Sequence, residues 1–224
     1  MSLTIGYWSL RGLGEPVHLV LEYLGLRYEK KTYHYHIEDF QEWFAKDKLE
    51  IGMDYPNLPY LIDGDFKVAQ TLTVLKYIGR KYGLFGSEDI QKLAKQEEVL
   101  DNIHFLRVEW AIMCYGEDYE TKRAEYYGEQ GMRNFADHMS YFEKVLGRQT
   151  WLAGENVFVG DFYMWHLLDI NELCEPTCLD NFPNLRKFKA AVAELPRIAE
   201  YLSSDRYKKF PINASMAKWG GGSE

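Results

Sequence analysis

The sequence has few cysteines and no long apolar run. Its 224 residues include Cys114, Cys174 and Cys178, an odd count without a C-x-x-C pair. Secreted domains held by disulfides use paired cysteines, so this count predicts reduced thiols and a cytoplasmic location. No stretch approaches the roughly 20 apolar residues that cross a bilayer, and the first residues enter a strand pattern without a signal-peptide pattern. We therefore expect no membrane insertion.

Positive charge is scarce relative to negative charge. The chain has 26 Lys and Arg against 34 Asp and Glu, which gives a formal net charge of -8. Nucleic acids and anionic membrane surfaces attract basic proteins, so we expect neither as a partner. His34 and His36 have the spacing of one strand face, but no third ligand lies near them in sequence and we expect no metal site.

The apolar periodicity divides the chain into two parts. Alternating apolar residues predict a first strand over 3–7, a helix follows from Pro16, and a second strand over 28–33 completes a βαβ unit. After Gly83 the pattern is helical, with helices predicted over 90–115, 119–146 and 162–173. We predict an α/β thioredoxin-like domain over 1–83, a linker over 84–89 and an all-α helical bundle over 90–224.

The stretch from Gly52 to Thr71 has the strongest local signals. Two prolines three residues apart mark a rigid turn, and Leu58-Pro59 is a candidate cis peptide. A residue before proline is held extended, so the main chain of Leu58 would be placed to pair with an extended peptide. Gln70 and Thr71 stand at the mouth of a helix, where N–H groups and the helix dipole favour an anion. The stretch predicts a peptide edge beside an anion site.

Several separate motifs resemble the cytosolic glutathione transferases, and the mu class most closely. The matching segments are Pro56-Asn57-Leu58-Pro59-Tyr60, Gln70-Thr71, Gly6-Tyr7-Trp8 and Met216-Ala217-Lys218-Trp219. The resemblance implies an enzyme of detoxification that adds the glutathione sulfur to hydrophobic electrophiles. Glutathione is then a co-substrate, and no further cofactor is implied.

Tyr7 and Tyr115 are the catalytic residues that the resemblance implies. A phenol that donates a hydrogen bond to the glutathione sulfur favours the thiolate over the thiol, whose reference pKa is about 8.5. Tyr115 matches a family tyrosine that can donate to a group on the electrophile. The alternatives are a core tyrosine at position 7 and a packing tyrosine at the end of a helix at position 115.

The remaining site residues also follow from the resemblance. The implied glutathione contacts are Tyr7, Trp8, Trp43, Lys48, Asn57, Leu58, Gln70, Thr71 and Asp101. The implied electrophile wall is Leu10, Leu13, Ala111, Ile112, Tyr115, Asn213 and Met216. Without the family, Trp8 and Trp43 read as core aromatics and Lys48 as a solvated charge.

The resemblance also implies a homodimer. Tyr55 occupies the position of the mu-class residue that inserts into the neighbouring subunit, with a local lid on the turn as the alternative. Asp101 matches the carboxylate that reaches the γ-glutamyl ammonium of the neighbouring subunit. The spacing from Asp101 to Tyr115 is about one helical turn too long, and an ungapped count gives His104 instead. We prefer Asp101 because an ammonium attracts an anion.

Two other functions fit the same motifs. A non-catalytic carrier would bind apolar ligands without thiol chemistry, and the presence of Tyr7 argues against it. A glutathione-dependent isomerase or peroxidase would use the same thiolate on a different second substrate.

Overall fold

The first part of the chain is a four-stranded mixed sheet with helices. The computed structural model describes residues 3–34, 40–128 and 134–222, and His36 of the predicted histidine pair lies outside them. The sheet has the order β2-β1-β3-β4, where β1 is parallel to β2 and antiparallel to β3, and β4 is antiparallel to β3. The strands are β1 (Leu3–Trp8), β2 (Tyr28–Tyr33), β3 (Tyr60–Asp63) and β4 (Phe66–Ala69).

Helix α1 (Glu15–Leu24) joins the two parallel strands as predicted. Pro16 lies in its first turn, where its missing N–H costs nothing, and Gly25 ends it with a φ of 63°. The fully buried side chains of Val17 and Val20 face the core. Strand, helix and parallel strand therefore form the predicted βαβ unit.

The connection from β2 to β3 carries much of the predicted peptide site. It contains a π-helical segment (Glu42–Asp47), continued by the short helix α2 (Lys48–Glu50). The Leu58–Pro59 peptide is cis, as predicted. After β4, helix α3 (Thr71–Tyr82) begins at the predicted position and ends at Gly83, whose φ is 79°.

The second part of the chain is helical. The predicted helix over 90–115 is confirmed, but the predicted single helix over 119–146 is wrong. One helix stops before Gly128, and Asn134 caps the next by accepting a hydrogen bond from the N–H of Asp137 at 2.7 Å. The helices are α4 (Ile90–Tyr115), α5 (Tyr119–Tyr127), α6 (Phe135–Leu146), α7 (Val159–Cys174), α8 (Pro183–Ala193) and α9 (Pro196–Leu202).

Helix α7 is the buried centre of the helical part, as its apolar pattern predicts. It packs against α1, α4 and α8, so it also contacts the sheet-containing part of the chain. Its first turn is held by Asp161, which accepts the N–H groups of Phe158 and Leu152 at 2.8 and 2.9 Å. Burial raises the pKa of this carboxyl to about 7, against the lowering effect of those two bonds.

The predicted linker is not wholly exposed, because Phe85 within it is buried. The division into domains at 84–89 stays a prediction. Cys114 and Cys174 are buried free thiols, and Cys178 is a partly buried free thiol.

No helix among the described residues has the length and apolar character that crossing a membrane requires.

Candidate active site

Tyr7 lies on β1 with only 8% of its surface exposed. Its hydroxyl oxygen accepts a hydrogen bond from the main-chain N–H of Leu13 at 2.7 Å. A phenol has one hydrogen to donate as well as lone pairs to accept with. An N–H directed at the oxygen stabilises negative charge there, so it makes the hydroxyl a stronger donor to a further partner. This geometry suits a phenol that donates to a thiolate.

Gly12 permits this close approach of loop and ring. Its φ is 39°, in the left-handed region, and a Cβ built on it would lie 2.4 Å from the Tyr7 hydroxyl oxygen. No side chain fits in that space. The glycine is therefore required by the position of the Tyr7 hydroxyl.

Thr71 holds the other side of the same loop. Its side chain is buried, and its hydroxyl donates to the carbonyl of Leu13 at 3.0 Å. That donation uses the one hydrogen of the hydroxyl. A ligand carboxylate at the start of α3 would meet main-chain N–H groups there, and the predicted contact through the Thr71 hydroxyl stays a prediction.

The main chain at Leu58 and Gln70 offers groups that could pair with an extended peptide ligand. Gln70 has a φ of 80°, the one positive value found at a non-glycine position among the described residues, and its N–H donates to the carbonyl of Pro59 at 3.0 Å. The main-chain groups of Leu58 make no hydrogen bond to any described residue. Asn57 is exposed beside them. A peptide edge and a helix N-terminus thus lie side by side.

Trp8 and Lys48 are brought together by an aromatic cluster. The Trp8 ring lies 6.0 Å from the rings of both Phe40 and Phe44. The Lys48 ammonium lies 5.4 Å from the centre of the Phe44 ring. Phe44 is a site residue that the motifs did not reveal, although its spacing of four from Lys48 is that of one helix face.

Trp43 is a buried aromatic side chain in the π-helical segment. It is 2% exposed, and its ring lies 5.3 Å from that of Tyr33 and 6.0 Å from that of Tyr60. These contacts match the alternative interpretation of Trp43 as a core aromatic. The contact of its indole N–H with glutathione stays a prediction.

The predicted electrophile wall is only partly assembled as expected. Leu10, Leu13 and Ala111 are half-buried, and Ile112 and Met216 are exposed. Asn213 is buried, and its side chain donates to the carbonyl of Trp219 at 2.9 Å, so its place in the electrophile wall stays a prediction.

Tyr115 lies at the end of α4 and is 38% exposed. Its hydroxyl oxygen accepts the N–H of Ala214 at 2.8 Å, which fixes the C-terminal segment. A phenol is both a donor and an acceptor, which is the chemistry that the predicted role of Tyr115 needs.

The two candidates for the intersubunit contact differ in environment. Asp101 is exposed on α4. His104 is half-buried, its Nδ1 lies 2.9 Å from the hydroxyl of Tyr163, and burial lowers its pKa. Tyr55 is 84% exposed. The environments favour Asp101 over His104 as a residue that faces another subunit.

Arg11, His166 and Asp169 form a buried polar cluster next to the loop after β1, and the sequence patterns did not predict it. Arg11 lies 2.7 Å from Asp169 and 3.3 Å from Nδ1 of His166, and Nε2 of His166 lies 2.9 Å from the carbonyl oxygen of Gly12. The sequence did contain a signal for this cluster, since His166 and Asp169 are polar residues on the largely apolar helix α7.

In residues 3–34, 40–128 and 134–222, no three His, Cys, Asp or Glu side chains form a group that could hold a metal ion.

A thioredoxin-like sheet, an all-helical second part and a buried tyrosine beside a peptide edge define the class of glutathione-dependent transferases. Sequence models of that class match both parts: the glutathione S-transferase N-terminal domain over residues 3–80 and the C-terminal domain over residues 104–205. The chain belongs to the glutathione S-transferase family.

Its relatives include mu-class proteins. Glutathione S-transferase Mu 2 of Rattus norvegicus is 38% identical over 223 residues, and Mu 6 of Mus musculus is 35% identical over 226 residues. Each alignment covers 98% of this chain and 99% of the relative. The solved structure of the Onchocerca volvulus pi-class glutathione S-transferase is similar with a TM-score of 0.83 and 26% identity, covering 97% of this chain and 100% of that one.

Proposed function

We propose that the protein conjugates the thiolate of glutathione to hydrophobic electrophiles, as a mu-like glutathione transferase of the cytoplasm. The observation that supports this most directly is the 2.7 Å hydrogen bond from the Leu13 N–H to the Tyr7 hydroxyl oxygen. This bond holds the phenol oxygen at the loop after β1, and a hydroxyl whose oxygen accepts an N–H is a stronger donor toward a thiolate.

The Tyr7 hydroxyl would stabilise the sulfur as a thiolate. A free thiol with a pKa of about 8.5 is only a few per cent ionised at neutral pH. A hydrogen bond to the anionic form lowers that pKa, and each unit gained is worth about 1.4 kcal/mol. The thiolate is the nucleophile that attacks the electrophile, and its sulfur forms the new bond while the leaving group or the double-bond electrons take up the charge.

The rest of glutathione would lie along the described groups. The γ-glutamyl carboxylate meets the N–H groups at the start of α3 beside Gln70, and the cysteinyl main chain pairs with Leu58. The glycine carboxylate lies toward Lys48 and the indole N–H of Trp8. Asn57 borders the same edge.

The electrophile would occupy the space between the loop after β1 and the end of α4. Leu10, Leu13, Ala111, Ile112 and Met216 supply apolar contacts. Tyr115 would lie at the edge of this space and donate its hydroxyl hydrogen to a polar group on the electrophile, with its oxygen held by the N–H of Ala214 at 2.8 Å.

We further propose a homodimer in which Tyr55 inserts into the neighbouring subunit. Tyr55 is 84% exposed on its turn, so its ring is available to enter a pocket of another subunit. Asp101 would then reach the γ-glutamyl ammonium of the glutathione bound by the other subunit.

Replacement of Tyr7 by phenylalanine tests the enzyme function. Tyr7→Phe deletes the donor and keeps the ring, so turnover should fall about 10- to 1,000-fold. Thiolate absorbance of bound glutathione near pH 7 should disappear, while glutathione affinity persists. Binding without a thiolate signal in the parent protein would instead identify a carrier.

Sedimentation of Tyr55→Ala tests the dimer. An aromatic anchor in a partner pocket is worth about 2 kcal/mol or more, so the variant should shift toward monomer at low concentration. Tyr141→Ala, which removes another exposed aromatic, is the matched control. Equal dimer affinity in both variants and the parent would leave Tyr55 as a local lid.

A further inference from the structure

His166 is a buried histidine on α7 that makes two hydrogen bonds to the loop after β1. Its Nδ1 lies 3.3 Å from a terminal nitrogen of Arg11, and its Nε2 lies 2.9 Å from the carbonyl oxygen of Gly12. The ring is fully buried. A buried polar side chain costs stability unless it is paired, and both ring nitrogens of His166 are paired.

The partners fix which nitrogen carries the hydrogen. A guanidinium has no acceptor, so Arg11 donates to Nδ1. The Nε2 nitrogen therefore carries the hydrogen and donates it to the Gly12 carbonyl. Arg11 is itself held by Asp169 at 2.7 Å. Burial and the nearby cations Arg11 and Arg107 hold the pKa of His166 well below its usual value, so the ring stays neutral.

The Gly12 carbonyl and the Leu13 N–H belong to one peptide group. A hydrogen bond accepted by the carbonyl of an amide polarises that amide and strengthens its N–H as a donor. The Leu13 N–H is the group that donates to the Tyr7 hydroxyl oxygen at 2.7 Å. A continuous chain of hydrogen bonds thus runs from Asp169 through Arg11, His166 and this peptide to Tyr7.

We propose that His166 is a positioning residue for Tyr7, which acts through the Gly12–Leu13 peptide to strengthen the phenol as a donor to the glutathione sulfur. The proposal rests on the proposed transferase function. It assigns a catalytic consequence to a residue of the helical part that does not contact glutathione.

The relay also explains why a histidine suits this position. The ring supplies an acceptor toward Arg11 and a donor toward the Gly12 carbonyl from one rigid plane. A leucine of similar size would supply neither, and it would leave the carbonyl unpaired at this point. A glutamine keeps one donor and one acceptor on a flexible stem, so it should restore part of the effect.

Titration of the thiolate in three variants tests the proposal. The absorbance of glutathione thiolate is followed against pH in the intact protein with saturating glutathione. His166→Leu should raise the pKa of bound glutathione by about half to one unit, and kcat/KM at pH 6 should fall about 3- to 10-fold. KM for glutathione should change less than about twofold, because no binding contact is removed. His166→Gln should lie between the parent and His166→Leu.

Leu168→Ala is the matched control. Leu168 is fully buried on the same helix, so its truncation should lower the melting temperature without moving the thiolate pKa. If His166→Leu lowers the melting temperature and leaves the thiolate pKa at the parent value, His166 is structural only and the proposal is wrong. A parent protein without any thiolate signal would overturn the proposed function itself, and the positioning role with it.

Discussion

The two ends of the proposed glutathione site are built differently. At the sulfur end, Tyr7, Thr71 and the loop at Leu13 are joined by hydrogen bonds of 2.7 and 3.0 Å, and both side chains are buried. At the glycine end, Trp8 is half-buried and Lys48 lies over an exposed Phe44. No described carboxylate pairs with Lys48.

This difference separates catalysis from binding. The sulfur end is already ordered by contacts within the protein. Little of the ligand's binding free energy is therefore needed to order it. At the glycine end, the Lys48 ammonium lies over the Phe44 ring and, in the proposed site, would gain a charge partner only when the ligand carboxylate binds. Changes at the sulfur end should therefore act on kcat and on the thiolate pKa, and changes at the glycine end should act on KM.

The largest effect is expected for Gly12→Ala. A Cβ would lie 2.4 Å from the Tyr7 oxygen, so loop and ring must separate, and kcat should fall by about 100-fold or more. Gly83→Ala is the control, since its φ is also positive while nothing lies within 4 Å of its Cβ. It should lose about 1 kcal/mol of stability and keep its turnover. Equal kinetics of the two variants would show that the Gly12 contact is irrelevant to catalysis.

The next largest effect is expected for Thr71→Val. The substitution keeps the shape and removes the hydrogen bond to the Leu13 carbonyl, so kcat should fall about 3- to 30-fold with KM for glutathione nearly unchanged. Thr71→Ser should restore the parent values. A rise in KM with constant kcat would mean that the hydroxyl binds glutathione directly, as the family resemblance implied.

Lys48→Gln tests the glycine end. The loss of one charge partner at a half-exposed site should raise KM for glutathione about 3- to 10-fold and leave kcat alone. The effect should shrink as salt is added, because salt screens exposed charges. Lys46→Gln removes a neighbouring exposed lysine and should have no such effect. If Lys48→Gln and Lys46→Gln raise KM for glutathione equally, the lysines act through the general electrostatic field of the protein, and Lys48 makes no specific contact with the ligand.

The smallest effect is expected at the proposed intersubunit contact. Asp101→Asn should raise KM for glutathione about two- to fivefold, since it removes one charge at an exposed position. His104→Gln should leave KM unchanged, because the ring is engaged with Tyr163 inside its own subunit. The opposite pattern would assign the contact to His104.

Local motifs were sufficient to predict the elements that frame the site. Proline positions predicted the turn and the cis peptide at Leu58, and alternation predicted β1 with Tyr7. The links between these elements could not be predicted in this way. Thr71 meets Leu13 across 58 residues, and His166 meets Gly12 across 154. Such contacts depend on how α3 and α7 pack around the loop after β1, which no local pattern contains.

One error has a specific physical cause. The predicted helix over 119–146 ignored Gly128 and Asn134, which are ordinary signals for the end and the start of a helix. The π-helical segment over residues 42–47 was also not predicted, because the spacing of residues does not distinguish it from an ordinary helical turn.

The positive φ of Gln70 lowers the stability of the protein at a residue of the proposed site. A non-glycine residue with a φ of 80° costs on the order of 1 to 3 kcal/mol. Gln70 stands directly before α3, and its N–H donates to the carbonyl of Pro59 at 3.0 Å, so the strained residue joins the start of the helix to the proposed peptide edge. Glycine at this position would relieve the strain and remove the side chain proposed to border glutathione, so the gain in stability would come with a loss at the site.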